Sequence, residues 1–204
     1  MKIWDFDAKM ILNVLDDPLD VTHRISELTL QDYTDNHNNY PGQRIQDSDL
    51  FQDVSQTMQT VIIEAYPEIY DITEFECCLQ HQTESDDYQG GIHSDNYVLV
   101  AVLYMDMMSE PRRGTVLYHN TYDRLPQDHE KISLTYQGLT DSENYVSKYN
   151  DKFRHRDYVT FEPRFNSMSV FPGHVMHGRN KNPLSPTSTR NFFVGFVGGC
   201  RCSW

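Results

Sequence analysis

Three separated segments of the chain carry side chains that together could bind a metal ion and an anion. His93 and Asp95 lie two residues apart after a pair of glycines, His177 lies far downstream, and Arg190 follows thirteen residues later. Two imidazoles and one carboxylate on one face of a metal ion hold Fe(II) and leave three coordination positions open for a co-substrate and O2. The sequence therefore predicts a mononuclear metal site with an anion-binding arginine.

The spacing of His93 and Asp95 is what allows both side chains to reach one metal ion. Alternate residues of an extended chain project to the same face, so these two can point inward while Ser94 points away. Gly90-Gly91 provides a flexible turn just before them. Because a His-x-Asp pair alone is most often a solvated surface pair, the prediction depends on the distal residues.

Two histidines compete for the third ligand position. If their segment is extended, the side chains of His174 and His177 project to opposite faces, so only one of them should face inward. We select His177, which places His174 at the rim of the site. His119, just after a predicted strand, is a less favoured candidate that is better interpreted as a pocket-lining or surface residue.

Arg190 begins a phenylalanine-rich strand pattern that runs through Asn191–Val197. A guanidinium that points into an apolar barrel must be paired to offset its desolvation. The carboxylate of a small co-substrate would satisfy it in a bidentate manner. The alternatives are a solvent-exposed arginine at a strand end, or an anion clamp at Arg179.

Composition limits the classes of function. A chain of 204 residues fits one domain, and its formal charge of −13 disfavours general binding to nucleic acid or anionic membranes. No apolar run has the length of a membrane-spanning helix, and the first residues lack the apolar core of a signal peptide, so a cytoplasmic protein is expected.

The four cysteines do not follow the usual spacing of zinc ligands. Cys77 and Cys78 are adjacent, whereas Cys200 and Cys202 alternate. We expect ordinary reduced thiols, and a disulfide or soft-metal site at Cys200 and Cys202 is the alternative.

The pattern of apolar residues predicts two helices followed by many strands. A first strand over Met10–Leu15 precedes a helix that Asp17 caps and Pro18 begins, and a second helix with Ser48 as its cap ends at Tyr66. The later strands are predicted at 74–80, 97–104, 114–118, 159–161, 167–171 and 191–197. This order favours an antiparallel double-sheet barrel with the helices outside one sheet.

The predicted single domain, 1–204, has three parts. A helical and strand support covers about 1–70, and a barrel core covers about 72–197. A polar, tyrosine-rich insertion at about 119–157 interrupts the core, and a loop of this length is typical of a lid over a substrate site. An inert insertion is the alternative.

The chain resembles the Fe(II)- and 2-oxoglutarate-dependent oxygenases, in their prolyl-hydroxylase-like branch, over roughly 72–197. The segments that carry the resemblance are His93-Ser94-Asp95, the strand that ends at Tyr104, Gly114–Tyr118, Phe171–His177 and Arg190–Phe193.

The resemblance implies a mainly β fold with flanking helices, a double-stranded β-helix of the jelly-roll or cupin-like type. It implies iron bound by His93, Asp95 and His177, and 2-oxoglutarate bound by Arg190 with a hydroxyl contact from Tyr104. Such an enzyme converts 2-oxoglutarate to succinate while it oxidises, most often hydroxylates, a small-molecule or peptide substrate with O2.

Two other functions remain open from the sequence alone. One is a cupin-like metalloenzyme that uses the same triad without 2-oxoglutarate, and the other is a non-catalytic barrel that serves as a binding module. Arg190 discriminates against the first, because such an enzyme has no need for a buried cation beside the metal.

Overall fold

The computed structural model describes residues 6–29, 43–46, 49–82, 94–107, 114–119, 156–179 and 190–203. Two α-helices are present, α1 (Pro18–Ser26) and α2 (Gln52–Ala65), with a 3-10 turn at Asp49–Phe51. The strands are β1 (Lys9–Leu12), β2 (Gln43–Gln46), β3 (Ile69–Gln82), β4 (Leu99–Tyr104), β5 (Thr115–His119), β6 (Arg156–Phe161), β7 (Ser167–Pro172), β8 (His177–Arg179) and β9 (Arg190–Cys202).

Helix α1 begins as the sequence predicts. The Asp17 side chain accepts a hydrogen bond from the Asp20 amide at 3.1 Å, which satisfies one of the open N–H groups of the first turn. Val21 and Ile25, one helical turn apart, are its buried residues.

Helix α2 begins later than the predicted cap at Ser48, which lies outside the described residues. The 3-10 turn precedes it, and Phe51 occupies the N-cap position without a capping hydrogen bond from its side chain. Phe51 is buried and packs edge-on against Phe193 at 5.0 Å between ring centroids. Tertiary packing therefore fixes this helix start in place of a polar cap.

The strands form two antiparallel sheets. Six strands lie in the order β1-β7-β4-β9-β3-β2, and three lie in the order β6-β5-β8. β3 and β9 are much longer than predicted and pair from Ile69↔Cys202 to Gln82↔Arg190, with bulges in the first half of β3. β1 is shorter than predicted, because Asn13 adopts a left-handed conformation with φ of 56° and ends the strand.

The large sheet has a separate core on each face. Leu99, Ala101 and Leu103 of β4 pack with buried residues of both helices, whereas Val100, Val102 and Tyr104 pack with Leu117 and Phe161 of the small sheet. This arrangement confirms a mainly β fold with its helices on the outer face of one sheet. Neither described helix is long and apolar enough to span a bilayer.

The predicted insertion connects two neighbouring strands. β5 pairs with β6 from Thr115↔Phe161 to His119↔Arg156, so the ends of the predicted 119–157 segment belong to the sheet. Residues 120–155 lie outside the described part of the chain, as do the predicted ligand His93 and the polar stretch 32–42.

Candidate metal and anion site

The side chains of Asp95 and His177, which are distant in the sequence, are in contact. Asp95 lies in the segment before β4, and His177 is the first residue of β8, where it pairs in register with Leu117 of β5. The Oδ2 atom of Asp95 lies 3.2 Å from Nε2 of His177, and both side chains are largely buried. The structure thus brings together two of the three side chains that the sequence predicts as metal ligands.

A hydrogen bond sets the orientation of the His177 ring. Its Nδ1 atom lies 2.9 Å from the Val175 carbonyl oxygen, which can only accept, so Nδ1 must donate its proton there. The ring also packs against Phe171, with 4.7 Å between ring centroids. In a neutral imidazole this arrangement leaves the Nε2 lone pair directed at Asp95, which is the orientation that a metal ligand requires.

The contact between Nε2 and Oδ2 fits a shared cation. Two atoms with lone pairs repel at this distance unless a proton or a metal ion lies between them. Two ligands bound at right angles to one ion, with bonds of about 2.1 Å, lie roughly 3.0 Å apart. The observed 3.2 Å is close to that value. A proton on Nε2 would instead make the contact a simple ion pair.

Of the two histidines that compete for the third position, His177 contacts Asp95, and His119 is the last residue of β5. Residues 173–176 form a turn, so parity along an extended segment does not decide between His174 and His177. The contact with Asp95 favours His177, and His174 is half-buried in the turn. Within the part of the chain that the structure describes, no group of three metal-binding side chains is present.

Gly173 allows the Asp95 segment to approach the turn before β8. The Asp95 amide donates to the Gly173 carbonyl at 2.7 Å, and the Gly173 amide donates to Val98 at 3.3 Å. A Cβ atom on Gly173 would lie 2.3 Å from the Tyr97 carbonyl oxygen. Only glycine permits this backbone packing, which sets the position of Asp95 relative to His177.

Arg190 is buried at the start of β9, as the sequence predicts. Its guanidinium lies over the Phe192 ring at 5.1 Å, and its Nε atom lies 3.7 Å from Oδ2 of Asp106. The other Asp106 oxygen accepts a hydrogen bond of 2.9 Å from the Asn191 amide. A buried cation is therefore held beside a fixed carboxylate.

Asp106 was not identified from the sequence, because its position beside Arg190 depends on the register of β4 with β9. Tyr104 pairs with Phe192 in the antiparallel register of β4 and β9. Two residues beyond the end of β4 and two residues back along β9, the same register brings Asp106 opposite Arg190. Once the pairing of these strands is known, this carboxylate is the expected neighbour of the guanidinium.

Tyr104 joins the two sheets. Its hydroxyl lies 2.9 Å from Oγ1 of Thr115 in the small sheet and 3.0 Å from Oγ of Ser169 in the large sheet. The side chain is almost wholly buried. Tyr104 thus lies on the same face of the large sheet as Phe192, and its predicted contact with a co-substrate stays a prediction.

The fold matches solved structures of oxygenases that use 2-oxoglutarate. HygX from Streptomyces hygroscopicus, solved with nickel and 2-oxoglutarate bound, is 12% identical with a TM-score of 0.58, covering 93% of this chain and 82% of that one. The non-haem carbocyclase SnoK from nogalamycin biosynthesis is 11% identical with a TM-score of 0.62, covering 92% and 78%. A Pseudomonas putida prolyl-4-hydroxylase is 15% identical with a TM-score of 0.52, covering 97% and 93%.

The likeness is one of fold. No family model matches the sequence, and no curated protein matches it. At these identities the likeness shows the fold alone, and the chemistry of the chain depends on its own residues.

Proposed function

We propose that this protein is an Fe(II)- and 2-oxoglutarate-dependent oxygenase, a hydroxylase built on a double-stranded β-helix. The observation that carries the proposal is the contact of Asp95 with His177, whose ring is oriented for metal binding by Val175. His93, two residues before Asp95, is the proposed third ligand. The likeness to oxygenases solved with nickel or iron and with 2-oxoglutarate supports this choice of cofactors.

Each residue has a distinct part in the proposed reaction. Asp95 supplies an anionic ligand, and His177 a neutral one whose tautomer is set by its other nitrogen. Bound Fe(II) with 2-oxoglutarate supplies the oxidising chemistry in which O2 is consumed and succinate and CO2 are released. Arg190 holds the far carboxylate of 2-oxoglutarate and so orients the co-substrate.

The apolar surroundings serve the same chemistry. Phe171 lies against His177, Phe192 lies under Arg190, and both belong to the core between the two sheets. Exclusion of water strengthens the interaction of Arg190 with a carboxylate and protects a reactive centre from side reactions. The prime substrate is a small molecule or a peptide, and we predict that the 119–157 insertion, most of which lies outside the described residues, contributes to its binding.

The pairing of Arg190 with Asp106 is the observation that favours the rival metalloenzyme without 2-oxoglutarate, because this arginine already faces a carboxylate. The two functions differ in what Arg190 does. In the proposed oxygenase it binds an incoming carboxylate beside Asp106, and in the rival it serves only the packing of β9.

Binding of 2-oxoglutarate to the Zn(II)-loaded protein distinguishes them. We expect Arg190→Met to weaken 2-oxoglutarate binding by about 100-fold, since a charge-assisted bidentate pair in a dry pocket is lost. Metal affinity should change little. The matched control is Arg201→Met, which removes an exposed arginine of the same strand. Equal binding of 2-oxoglutarate by the parent and by Arg190→Met would contradict the clamp.

A further inference from the structure

The C-terminal end of β9 carries two thiols that the proposed oxygenase site does not use. Cys200 and Cys202 are free, partly buried cysteines whose Sγ atoms lie 3.7 Å apart. Alternate residues of a strand project to one face, so both sulfur atoms lie on the same side of β9. Both side chains pack against the core that the large sheet shares with the helices. His177, which packs against Phe171, lies on the other side of this sheet.

The charges around the two thiols suit a cation. Arg201 lies between the cysteines in the sequence and projects to the opposite face, where its Nε atom lies 3.6 Å from Oδ2 of Asp71. Cys202 is opposite Ile69, whose amide donates at 2.8 Å to the carbonyl of Tyr66, the C-cap residue of α2. The C-terminal end of a helix carries a partial negative charge, which favours a cation nearby.

The distance between the two sulfur atoms fits a tetrahedral metal ion. Two thiolates that bind one Zn(II) ion with bonds of about 2.3 Å lie roughly 3.8 Å apart when the angle between the bonds is tetrahedral. A linear ion with the same bonds would need about 4.6 Å. The observed 3.7 Å matches the tetrahedral value. Among the described residues no group of three metal-binding side chains includes this pair, so water or an external ligand would complete the coordination.

A disulfide fits the pair less well than a metal ion does. The sulfur atoms of a disulfide lie about 2.05 Å apart, so those of Cys200 and Cys202 would have to approach by about 1.7 Å. Alternate Cα atoms of a strand lie roughly 6.6 Å apart. That separation is close to the upper limit of about 6.8 Å for a disulfide. Metal binding requires almost no movement of the sulfur atoms.

We propose that Cys200 and Cys202 together bind one Zn(II) ion through both sulfur atoms. Binding forms two metal–sulfur bonds and releases the two thiol protons to solvent, without a change of oxidation state. Structural zinc sites are closed by four protein ligands, so a site with two is exchangeable. The inference goes beyond the proposed function and does not depend on it. Thiolates are soft ligands that select Zn(II), whereas the proposed iron site contains no sulfur ligand.

The test is an anaerobic titration of the reduced, full-length protein with Co(II), after its metal has been removed with a chelator. Thiolate ligands give Co(II) a near-ultraviolet charge-transfer band that imidazole and carboxylate ligands do not give. We expect the parent to develop this band, and His177→Ala to develop it equally. Excess Zn(II) should abolish the band, because the same ligands bind Zn(II) more tightly than Co(II).

Substitution of either thiol identifies the ligands. Cys200→Ser and Cys202→Ser should each raise the Co(II) concentration that half-saturates the band by about 100-fold. The matched control is Cys77→Ser, which removes another partly buried thiol and should leave the band unchanged. Alanine replaces serine in a variant that does not fold by circular dichroism.

Three results would overturn the inference. The first is a parent that develops no thiolate band. The second is a band that forms at the same Co(II) concentration in the parent and in the folded variants of Cys200 and Cys202. The third is a Cys200–Cys202 disulfide, detected by mass spectrometry, that persists after treatment with a phosphine reductant.

Discussion

Replacement of Gly173 by alanine should weaken metal binding even though Gly173 has no side chain. The new Cβ would lie 2.3 Å from the Tyr97 carbonyl oxygen and 3.1 Å from that of Asp95, against an ordinary contact of 3.4 Å or more. These are backbone atoms, so the segment that contains Asp95 and Tyr97 must move away by about 1 Å. A metal–ligand distance varies by only about 0.2 Å in a functional site. The clash and the strained hydrogen bonds should together cost about 2–5 kcal/mol of stability.

We expect Gly173→Ala to fold with a lower melting temperature and to bind metal roughly 10- to 100-fold more weakly, as for loss of other ligand-orienting groups. Competition with a chromophoric chelator measures the affinity. Gly199→Ala is the matched control, because its Cβ would meet the Oγ1 atom of Thr73, a side-chain atom that can rotate away. A Gly173→Ala protein that binds metal as tightly as the parent would refute the proposed coupling of this turn to Asp95.

Three further predictions concern the ligand set, the insertion and a thiol. His177→Ala should lose bound Fe(II), measured as metal content after desalting, whereas His174→Ala should retain it; the reverse pattern would overturn the ligand assignment. Replacement of Asp123–Asn150 by a short Gly-Ser linker should leave slow conversion of 2-oxoglutarate to succinate in the absence of prime substrate, because this insertion joins two neighbouring strands. The same replacement should remove the stimulation of this reaction by the prime substrate. Full stimulation in a variant that folds would exclude a lid function for the insertion. Burial raises the pKa of Cys200 to about 12, so the thiolate is scarce below that pH; alkylation of the native protein at pH 8, followed by mass spectrometry, should be much slower than in denaturant, and equal rates would contradict the burial.

The sequence predicted most of the elements because their signals are local. Asp17 with Pro18 marks a helix start in any context, and the continuous apolar run of β4 indicates a strand that is covered on both faces. Alternation along β3 placed Phe75, Cys77 and Leu79 on one face, and these residues do pack toward the helices.

The features that the sequence did not predict depend on pairing between distant strands. The pairing of Arg190 with Asp106 follows only from the register of β4 with β9. The alternation of residues along β3 predicted the face on which Gln80 lies, but it did not predict what covers that face. The burial of Gln80 beside Arg44 is therefore seen only in the structure. In the same way, the meeting of Asp95 with His177 depends on the close backbone packing at Gly173.

An anaerobic titration with Fe(II) and 2-oxoglutarate tests the central claim most directly. Chelation of the metal by 2-oxoglutarate produces a visible charge-transfer band, which neither a metalloenzyme without this co-substrate nor a non-catalytic barrel would show. We predict that the parent develops the band at one equivalent of Fe(II), and that Asp95→Ala and His177→Ala do not. A parent that binds Fe(II) and remains colourless with excess 2-oxoglutarate would contradict the proposal.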